Sequence, residues 1–383
     1  MNILIHAHRI IAVDRWRFFA QKMMGFGHEV RAITSNLHNH RPLLEAGFTD
    51  VGIKHIYKPE ELNQAIDDFK PDFVCGEIFS PDEVTGRTMI ELANQKLILT
   101  LLQQHQVNTR AGMYRNHASW EHAHLFCATV ENAKLCGTGD MPWPPARTYT
   151  FGNWEHDELL AVKAPASIQQ VHESLEINGR KLIAVFSNSD DSSYWLPWVD
   201  ANDEWLIVVH PHPVFRRAAN GKGKQCFLNR VDENYPAYHE ANKRGAIFCV
   251  DHLPGTLDGI EIKQIHKHHL ILAADVILSG SPDICWDAYI LGKKTYVFGT
   301  HPNWRRVHPA YSSILDTSRF FGENTNFVEK VNEALSEPSG IVQDWEMLED
   351  RYRYIDGRWW ERTYNFAKEL INDSLVPSSK DGV

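Results

Sequence analysis

The chain has 383 residues, of which 43% are hydrophobic and 23% are charged, and its formal net charge is −10. This length exceeds what one hydrophobic core usually supports, so the sequence predicts a globular protein of two domains. The acidic balance argues against a nucleic-acid partner, and the lack of any run of roughly 20 apolar residues excludes a membrane-spanning helix.

The first third of the chain alternates predicted strands with predicted helices. NILIHAH predicts a first strand, RWRFFAQKMMGFG a helix that ends at Gly25 or Gly27, and HEVRAITS a second strand. A helix around residues 60–69, the strand DFVCGEIF, a helix near residues 85–95 and the strand KLILTLLQ continue the alternation. Apolar strands separated by helices indicate a parallel sheet covered on both faces.

Residues 137–153 are rich in glycine and proline and predict a connection between domains. The alternation resumes in KLIAVFSNS, EWLIVVHPHP, AIFCVDHLP, VILSGSP and KTYVFGT, which predict a second parallel sheet, and a last amphipathic helix follows in DGRWWERTYNFAKELINDS. We therefore expect a Rossmann-like domain over residues 1–150, a second one over residues 151–350, and a C-terminal helix and tail over residues 351–383.

The cysteines show no C-x-x-C spacing, and several lie in apolar stretches. This pattern predicts reduced core residues of a cytoplasmic protein. The stretch MNILIHAHRI predicts a strand and not a signal peptide, because no charged segment precedes an apolar stretch of secretory length.

A possible anion site ends the second strand of the second predicted sheet. The stretch HPHPVFRR places His210, Pro211, His212 and Arg216 directly after a buried apolar run. Each proline holds the chain extended and removes a backbone donor, while imidazole and guanidinium groups can donate to phosphate oxygens. The alternative interpretation is a stiff surface loop with solvated arginines.

A serine turn follows a later strand of the same sheet. Ser279, Gly280 and Ser281 end the strand, and Pro282 suits the first turn of the predicted helix. Free N–H groups at a helix start, together with two hydroxyls, can bind an anion. A glycine in the stretch LGKK then ends the helix as a C-cap, and Lys293 leads into the next strand. The alternative is a well-capped βαβ unit that binds nothing.

Neither G-x-G-x-x-G nor G-x-x-x-x-G-K-[ST] follows a predicted strand, so dinucleotide redox chemistry and P-loop phosphoryl transfer lose support. Two Rossmann-like domains in tandem, with anion-binding features in the second, are typical of GT-B glycosyltransferases. We expect an α/β, GT-B-like fold in which two Rossmann-like domains face a cleft and the C-terminal helix returns to the N-terminal domain. Ligands of such sheets bind beyond the carboxyl ends of the strands, which here means the cleft.

The strand with its HP pair, the SGSP turn and the strand in LGKKTYVFG together resemble bacterial transferases that build capsule and O-antigen polymers. From MNILIHAHRI onwards, nearly the whole chain resembles the retaining β-Kdo transferase domain of the WbbB type. The resemblance implies that Kdo is moved from CMP-β-Kdo to an oligosaccharide or lipid-linked acceptor of an O-antigen or capsule glycan. It also implies a CMP site made of His210, Pro211, His212, Arg216, Ser279, Gly280, Ser281 and Lys293.

In residues 227–238, FLNRVDENYPAY, Asp232 and Glu233 follow a short apolar run and precede a predicted Tyr-Pro turn. A retaining transferase that works by double displacement needs a carboxylate that attacks the anomeric carbon and later leaves it. The WbbB-type resemblance implies that Asp232 is this nucleophile. By composition alone, an acidic loop in water is the simpler interpretation.

Two further groups of residues are candidates on the acceptor side. GNWEHDELL predicts an acidic helix start, which the helix dipole favours by itself, and Glu158 in it is the candidate base for the acceptor hydroxyl. Beyond the first strand, His6, Arg9, Asp14 and Arg15 are candidates for acceptor binding, because a GT-B plan receives the acceptor on this side. A packed polar loop is the alternative.

The histidine-rich stretches HKHHL and EHAH lack the i, i+4 pairing and acidic partner of hydrolytic zinc sites. We therefore predict no catalytic metal and no cofactor besides the donor substrate. Residues 261–269 are predicted to form a mixed-charge helix, from which Lys263, Lys267 or a histidine could reach the donor's carboxylate.

Two other functions stay open at this point. A CDP-glycerol-type polymer glycerophosphotransferase would share the phosphate site but would need no sugar nucleophile. A non-catalytic saccharide-binding module of a larger assembly protein would need no phosphate site. The expected location is the cytoplasm, with the inner face of the cytoplasmic membrane, reached through further domains, as an alternative; the oligomeric state is open.

Overall fold

The computed structural model describes residues 1–7, 10–34, 43, 47–48, 51–53, 58–77, 84–103, 123–136, 145–161, 165–187, 195–211, 228–250, 255–257, 260–279, 282–298, 319–321, 327–337 and 340–375. The chain divides into two compact units. The first unit comprises residues 1–158 and 345–383, and the second unit comprises residues 159–344. The sequence-based prediction places these boundaries at residues 150 and 350.

Parallel strands form the sheet of the first unit. They are β1 (Asn2–His6), β2 (Glu29–Thr34), β3 (Val51–Ile53), β4 (Phe73–Glu77), β5 (Leu99–Gln103), β6 (His124–Phe126) and β7 (Thr148–Tyr149). Their order across the sheet is β3-β2-β1-β4-β5-β6-β7. The direction of the order reverses between β1 and β4, as it does in doubly wound nucleotide-binding sheets.

The sheet of the second unit is also parallel except at one edge. Its strands are β8 (Lys181–Ser187), β9 (Trp205–Pro211), β10 (Ile247–Val250), β11 (Gly255–Leu257), β12 (Ile260–Gln264), β13 (Val276–Ser279), β14 (Thr295–Phe298) and β15 (Arg319–Phe321). Their order is β11-β12-β10-β9-β8-β13-β14-β15, and among these described strands only β11 pairs antiparallel, with β12. Here the order reverses between β8 and β13.

Helices connect the strands in both units. In chain order, the described α-helices are α1 (Ile10–Gly25), α2 (Pro59–Phe69), α3 (Val84–Gln95), α4 (Val130–Cys136), α5 (Trp154–Ala161), α6 (Pro165–Ser174), α7 (Leu228–Lys243), α8 (Lys267–Ala273), α9 (Pro282–Ile290), α10 (Phe327–Ser336), α11 (Trp345–Tyr352) and α12 (Trp359–Leu375). The alternation of strands and helices confirms the predicted α/β class with two parallel sheets.

Helix α2 illustrates how local sequence sets these helices. Pro59 occupies its first position, where a missing N–H costs nothing. The backbone N–H of the preceding residue donates to Glu61 Oε2 at 3.3 Å, which satisfies a donor at the helix start. Leu62, Ile66 and Phe69 recur at helical spacing and are buried against the sheet.

Two local predictions were wrong. Residues 261–269 do not form one helix, because β12 continues to Gln264 and α8 begins at Lys267. Ile260 and Ile262 are buried with an exposed residue between them, and this period of two belongs to a strand. The predicted Tyr-Pro turn after Asp232 and Glu233 was also wrong, since residues 228–243 form α7 with Pro236 inside it.

The described cysteines are buried and form no disulfide, as predicted, and they are Cys75, Cys127, Cys136, Cys249 and Cys285. Over the described ranges, no helix has both the length and the apolar character that a membrane crossing requires.

The C-terminal helix α12 packs into the core of the first unit, which confirms the predicted return. Trp359 is 2% exposed. Its ring centroid lies 5.7 Å from that of Trp16 on α1 and 6.3 Å from that of Phe126 on β6. Residues near the chain end are therefore part of the core of the first unit.

The carboxylate of Asp157 on α5 caps the start of α12. Its Oδ1 accepts from the N–H of Trp359 at 2.8 Å, and its Oδ2 accepts from the N–H of Trp360 at 2.7 Å. These two N–H groups have no partner inside the helix, so the distant aspartate replaces a local N-cap. Burial nevertheless raises the pKa of Asp157 from 3.8 to about 6, against the opposing effect of the two hydrogen bonds.

A raised pKa makes this group a source of pH dependence. Between pH 3.8 and about 6, the folded chain keeps a proton on Asp157 that the unfolded chain releases. Stability from this group is therefore highest below that window and falls as the pH rises through it. Stability is compared here as the free energy of unfolding of the wild type relative to that of Asp157→Asn. We expect this difference to fall by roughly 1–3 kcal/mol when the pH is raised from 4 to 7.

Chemical denaturation of both proteins across this pH range measures the difference. Asp356→Asn is the matched control, because Asp356 is exposed and its pKa is lowered by a hydrogen bond from Arg362, so its contribution has the opposite sign. A difference between wild type and Asp157→Asn that stays constant with pH would contradict the prediction.

Candidate functional site

Three neighbouring strands of the second unit end side by side at the carboxyl edge of the sheet. The register pairs Ser279 of β13 with Phe186 of β8, and Phe186 with His210 of β9. The strand order reverses between β8 and β13. These residues therefore lie at the switch point, outside which open parallel sheets bind their ligands.

His210 is buried at this edge. All residues of β9 are buried, and His210 itself is 5% exposed. Its ring centroid lies 5.4 Å from that of Phe186, with 34° between the ring planes. Pro211, which pairs with Ser187, ends the strand. The imidazole is thus placed by a strand buried on both faces and by an aromatic neighbour.

Helix α9 begins directly beyond Ser279. Ser279 is fully buried, and Pro282 opens a helix of 9 residues. The first N–H groups of a helix have no intrahelical partner and carry the positive end of its dipole. A hydroxyl, an imidazole and a helix start thus lie at the same edge of one sheet, and this combination suits an anion such as a phosphate.

The hydroxyl of Ser187 has a different role at this edge. It lies 3.3 Å from the hydroxyl of Tyr238, and it accepts from Nε1 of Trp195 at 3.3 Å. Since Tyr238 belongs to α7, this contact anchors α7 at the carboxyl end of β8.

This anchor helps to locate Asp232. Helix α7 connects the carboxyl end of β9 to the amino end of β10, so it runs opposite to the strands. Asp232 precedes Tyr238 by six residues, or about 9 Å along the helix. The backbone of Asp232 therefore lies further toward the carboxyl side than Tyr238, while its side chain is outside the described part of the structure.

A buried charge cluster that the sequence prediction missed lies where α8 and α9 meet. Oδ2 of Asp287 is 3.1 Å from Nζ of Lys267 and 3.3 Å from Nε2 of His268. Asp287 is 2% exposed and His268 is 1% exposed. Burial lowers the pKa of His268, so the ring is neutral near neutral pH and Lys267 supplies the compensating charge.

One signal in the sequence could have revealed this cluster. Asp287 stands alone in the apolar helical stretch ICWDAYIL. A carboxylate on a buried helix requires a cation or hydrogen-bond donors nearby. Lys267 and His268, the first residues of α8, meet that requirement. Lys263 lies apart from the cluster, because its Nζ donates to the carbonyl of Ser174 at 2.7 Å.

Lys293 does not join the other predicted donor-site residues. It follows the C-capping Gly292, which has a φ of 74°, and precedes β14, so it lies at the amino edge of the sheet. Its Nζ donates to the carbonyl of Ala274, just before β13, at 3.0 Å, and burial lowers the pKa of its ammonium group. The candidate anion site at the opposite edge therefore does not include Lys293.

In the first unit, the structure places only some of the predicted acceptor residues. His6 ends β1 and is fully buried. Glu158 on α5 forms an ion pair with Arg17 on α1, and both side chains are 20% exposed. Asp14 and Arg15 lie on α1, but their side chains are outside the described part. Also outside it are Arg9 of the first unit and His212, Arg216, Gly280 and Ser281 of the second.

Within the described part of the chain, no group of three or more histidine, cysteine, aspartate or glutamate side chains is arranged to hold a metal ion. The absence of a metal from the reaction stays a prediction.

Comparisons with known proteins identify the fold. No protein-family model matches the chain, and no curated protein matches it. Among solved structures, UDP-GlcNAc 2-epimerase from Methanocaldococcus jannaschii superposes with a TM-score of 0.59 at 13% identity, over 96% of this chain and 99% of that one. A glycosyltransferase from Rickettsia africae gives a TM-score of 0.52 at 10% identity, over 97% and 93%.

A third similar structure is that of Anabaena HepE in complex with UDP and glucose, with a TM-score of 0.50 at 10% identity over 98% of both chains. The fold is GT-B-like. This confirms the predicted fold class of two Rossmann-like units. At these identities the likeness establishes the fold alone.

The position of Lys293 leads to a testable prediction. Lys293→Met keeps the aliphatic stem but removes the ammonium group, which lies at the amino edge of the sheet. We expect it to cost about 1 kcal/mol of stability, the net worth of one hydrogen bond, and to leave any nucleotide-induced rise in melting temperature unchanged. Differential scanning fluorimetry with and without nucleotide measures both quantities. Loss of the nucleotide effect in this variant would contradict the prediction and return Lys293 to the candidate anion site.

Proposed function

We propose that this protein is a glycosyltransferase that binds a nucleotide-activated sugar at the carboxyl edge of the second sheet. The observation that carries the proposal is the row Ser279, Phe186 and His210 at the strand-order reversal, directly before the start of α9. The hydroxyl, the imidazole and the helix N–H groups supply donors for phosphate oxygens. In the sequence, Gly280, Ser281, His212 and Arg216 adjoin this row and complete the proposed phosphate site.

The structural neighbours support a nucleotide sugar as the ligand. HepE is described in complex with UDP and glucose, and the Methanocaldococcus jannaschii enzyme is a UDP-GlcNAc 2-epimerase. Both share the two-unit architecture over nearly the whole of this chain. A nucleotide with a phosphate-linked sugar is therefore the ligand class that the fold and the anion site support together.

The finer proposal is retaining transfer of Kdo from CMP-β-Kdo to a saccharide acceptor. It rests on the resemblance of the HP strand, the SGSP turn and the LGKKTYVFG strand to WbbB-type Kdo transferases. The reaction would use no metal, and the acceptor would be an oligosaccharide or lipid-linked glycan in the cytoplasm. His6, Arg9, Asp14 and Arg15 are the proposed acceptor residues of the first unit.

Nucleotide binding gives the first test of this proposal. We expect CMP to raise the melting temperature and UDP not to, because a ligand stabilises the state that binds it. Ser279→Ala removes only a hydroxyl and should weaken CMP binding by roughly 1–3 kcal/mol, about 5–150-fold in Kd. Isothermal titration calorimetry measures the affinity, and fluorimetry measures the thermal shift.

Ser187→Ala is the matched control, because Ser187 ends the adjacent strand and its hydroxyl is already engaged by Trp195 and Tyr238. It should lower stability but leave the affinity for CMP unchanged. Equal losses of affinity in both variants would remove the anion site from the carboxyl edge.

A second candidate function is epimerisation of a nucleotide sugar, which the likeness to UDP-GlcNAc 2-epimerase favours. Stabilisation by UDP-GlcNAc and not by CMP, together with formation of an epimer without an acceptor, would support that candidate and refute Kdo transfer.

In the proposed mechanism, Asp232 forms a covalent intermediate. The Kdo anomeric carbon also carries a carboxylate, and departure of CMP leaves it oxocarbenium-like. The Asp232 carboxylate attacks this carbon as the bond to the CMP phosphate oxygen breaks, and the site's donors stabilise the leaving phosphate. The acceptor hydroxyl then attacks the same carbon from the face that CMP left, releases Asp232 and passes its proton to a base. Two inversions give net retention.

Glu158 is the proposed base for the second step. Its carboxylate pairs with Arg17 in the structure, so an acceptor hydroxyl would have to share or replace that contact. Glu158 would act on the acceptor step alone, whereas Asp232 would act on both steps.

The covalent step leads to a prediction for Asp232. Asp232→Ala should keep the fold and CMP affinity but lower transfer at least about 10³-fold, because the lost bond exists only along the reaction path. Intact-mass measurement after mixing wild type with CMP-Kdo, without acceptor, should show one added Kdo. Glu233→Gln, on the next residue of α7, is the matched control and should retain both the adduct and the activity. Near-normal turnover of Asp232→Ala with no adduct on the wild type would end the double-displacement proposal.

A further inference from the structure

Two buried thiols face each other in the first unit. Sγ of Cys127 lies 3.9 Å from Sγ of Cys136. Cys127 directly follows β6, where its N–H donates to the carbonyl of Tyr149 at 2.8 Å, and Cys136 is the last residue of α4. Their exposed fractions are 1% and 5%. Both are held in the same small apolar cluster, so the two sulfurs stay close together.

We propose that Cys127 and Cys136 form a reversible disulfide when the folded chain meets hydrogen peroxide. A disulfide needs its sulfur atoms about 2.05 Å apart. The approach from 3.9 Å is short, and Cys136 lies at the end of a helix, where the backbone lacks further helical hydrogen bonds to hold it. The proposed site is a modification site of the first unit and does not depend on the proposed transferase function.

The chemistry assigns the two cysteines different roles. The thiolate of Cys136, the more exposed of the two, attacks one peroxide oxygen; hydroxide leaves and takes up a proton, so a sulfenic acid and water form. The sulfur of Cys127 then attacks the Cys136 sulfur, and the sulfenic oxygen leaves as a second water with the thiol proton. Two thiols and one hydrogen peroxide thus give one disulfide and two waters.

The surroundings of Cys127 suit the second role. The hydrogen bond with Cys136, followed by burial, raises the pKa of the Cys127 thiol. A thiol that stays protonated is a poor first target of an oxidant. In the second step, Cys127 does not have to meet the oxidant itself. Its sulfur attacks the sulfenic acid of Cys136, whose sulfur lies 3.9 Å away in the structure.

The disulfide would tie the end of β6 to the end of α4. It closes a loop of about ten residues, which lowers the entropy of the unfolded chain. We expect the oxidised protein to melt several degrees higher than the reduced one, and dithiothreitol to reverse the shift.

The test treats the full-length folded protein with equimolar hydrogen peroxide, then blocks remaining thiols with N-ethylmaleimide in denaturant. We expect two fewer adducts than in the untreated protein, and a digest should contain a peptide that joins Cys127 to Cys136. Cys127→Ser should instead trap the sulfenic acid of Cys136, detected as a dimedone adduct. Cys75→Ser, which removes a buried cysteine of β4, should behave as the wild type.

Two results would overturn the proposal. One is oxidation that leaves the number of free thiols unchanged while peroxide is consumed. The other is a loss of two thiols that persists in Cys136→Ser, since it would come from another pair. If Cys136→Ser fails to fold, Cys136→Ala replaces it. The linked peptide in the wild type decides the question independently of the variants.

Discussion

Strand β8 pairs in parallel with β9 on one side and with β13 on the other, and the candidate site depends on these two ladders. The β8–β9 ladder runs from the pair Lys181–Trp205 to the pair Ser187–Pro211, and the β13 ladder ends where Ser279 meets Phe186. A shift of one residue in either register would turn every side chain to the opposite face. Such a shift would remove Ile183, Val185, Ile207, Val209, Val276 and Leu278 from the apolar cluster that they form on one face, so it is strongly disfavoured. The core of the second unit thus holds a histidine and a serine, distant in sequence, at the same level of one edge.

A buried carboxylate organises each unit in a different way. In the first unit, Asp157 replaces the N-cap of α12 and brings Trp359 against Trp16 and Phe126, so the C-terminal segment becomes a core element. The cost of burying the charge appears in the raised pKa of Asp157, and the packing of α12 offsets it. An exposed serine or threonine cap would have satisfied one N–H without this desolvation.

In the second unit, Asp287 is buried with Lys267 and His268 at the start of α8. Buried ion pairs seldom add net stability, because the loss of hydration offsets much of the attraction. The cluster therefore compensates a carboxylate that α9 brings into the core, and it adds little net stability by itself. Lys267 is bound in this cluster, whereas Lys293 donates to a backbone carbonyl at the amino edge of the sheet.

The sequence by itself determined the α/β class, the two parallel sheets, the helix start at Pro282 and its end at Gly292, because apolar runs, prolines and glycines act over a few residues. It also located His210 and Ser279 at strand ends, since strand direction alone places such residues at the carboxyl edge.

Other features were decided only by tertiary structure. Strand order and register brought His210, Phe186 and Ser279 into one row. The helix around Asp232, with Pro236 inside it, overrode a local turn signal because α7 packs on the sheet through Tyr238. Asp157 binds backbone groups about 200 residues later in the chain, and Asp287 binds side chains of a neighbouring helix. The position of Lys293 likewise depends on a contact with the segment before β13. Such contacts cannot be predicted from local sequence propensity, because burial and charge compensation arise only when the units fold.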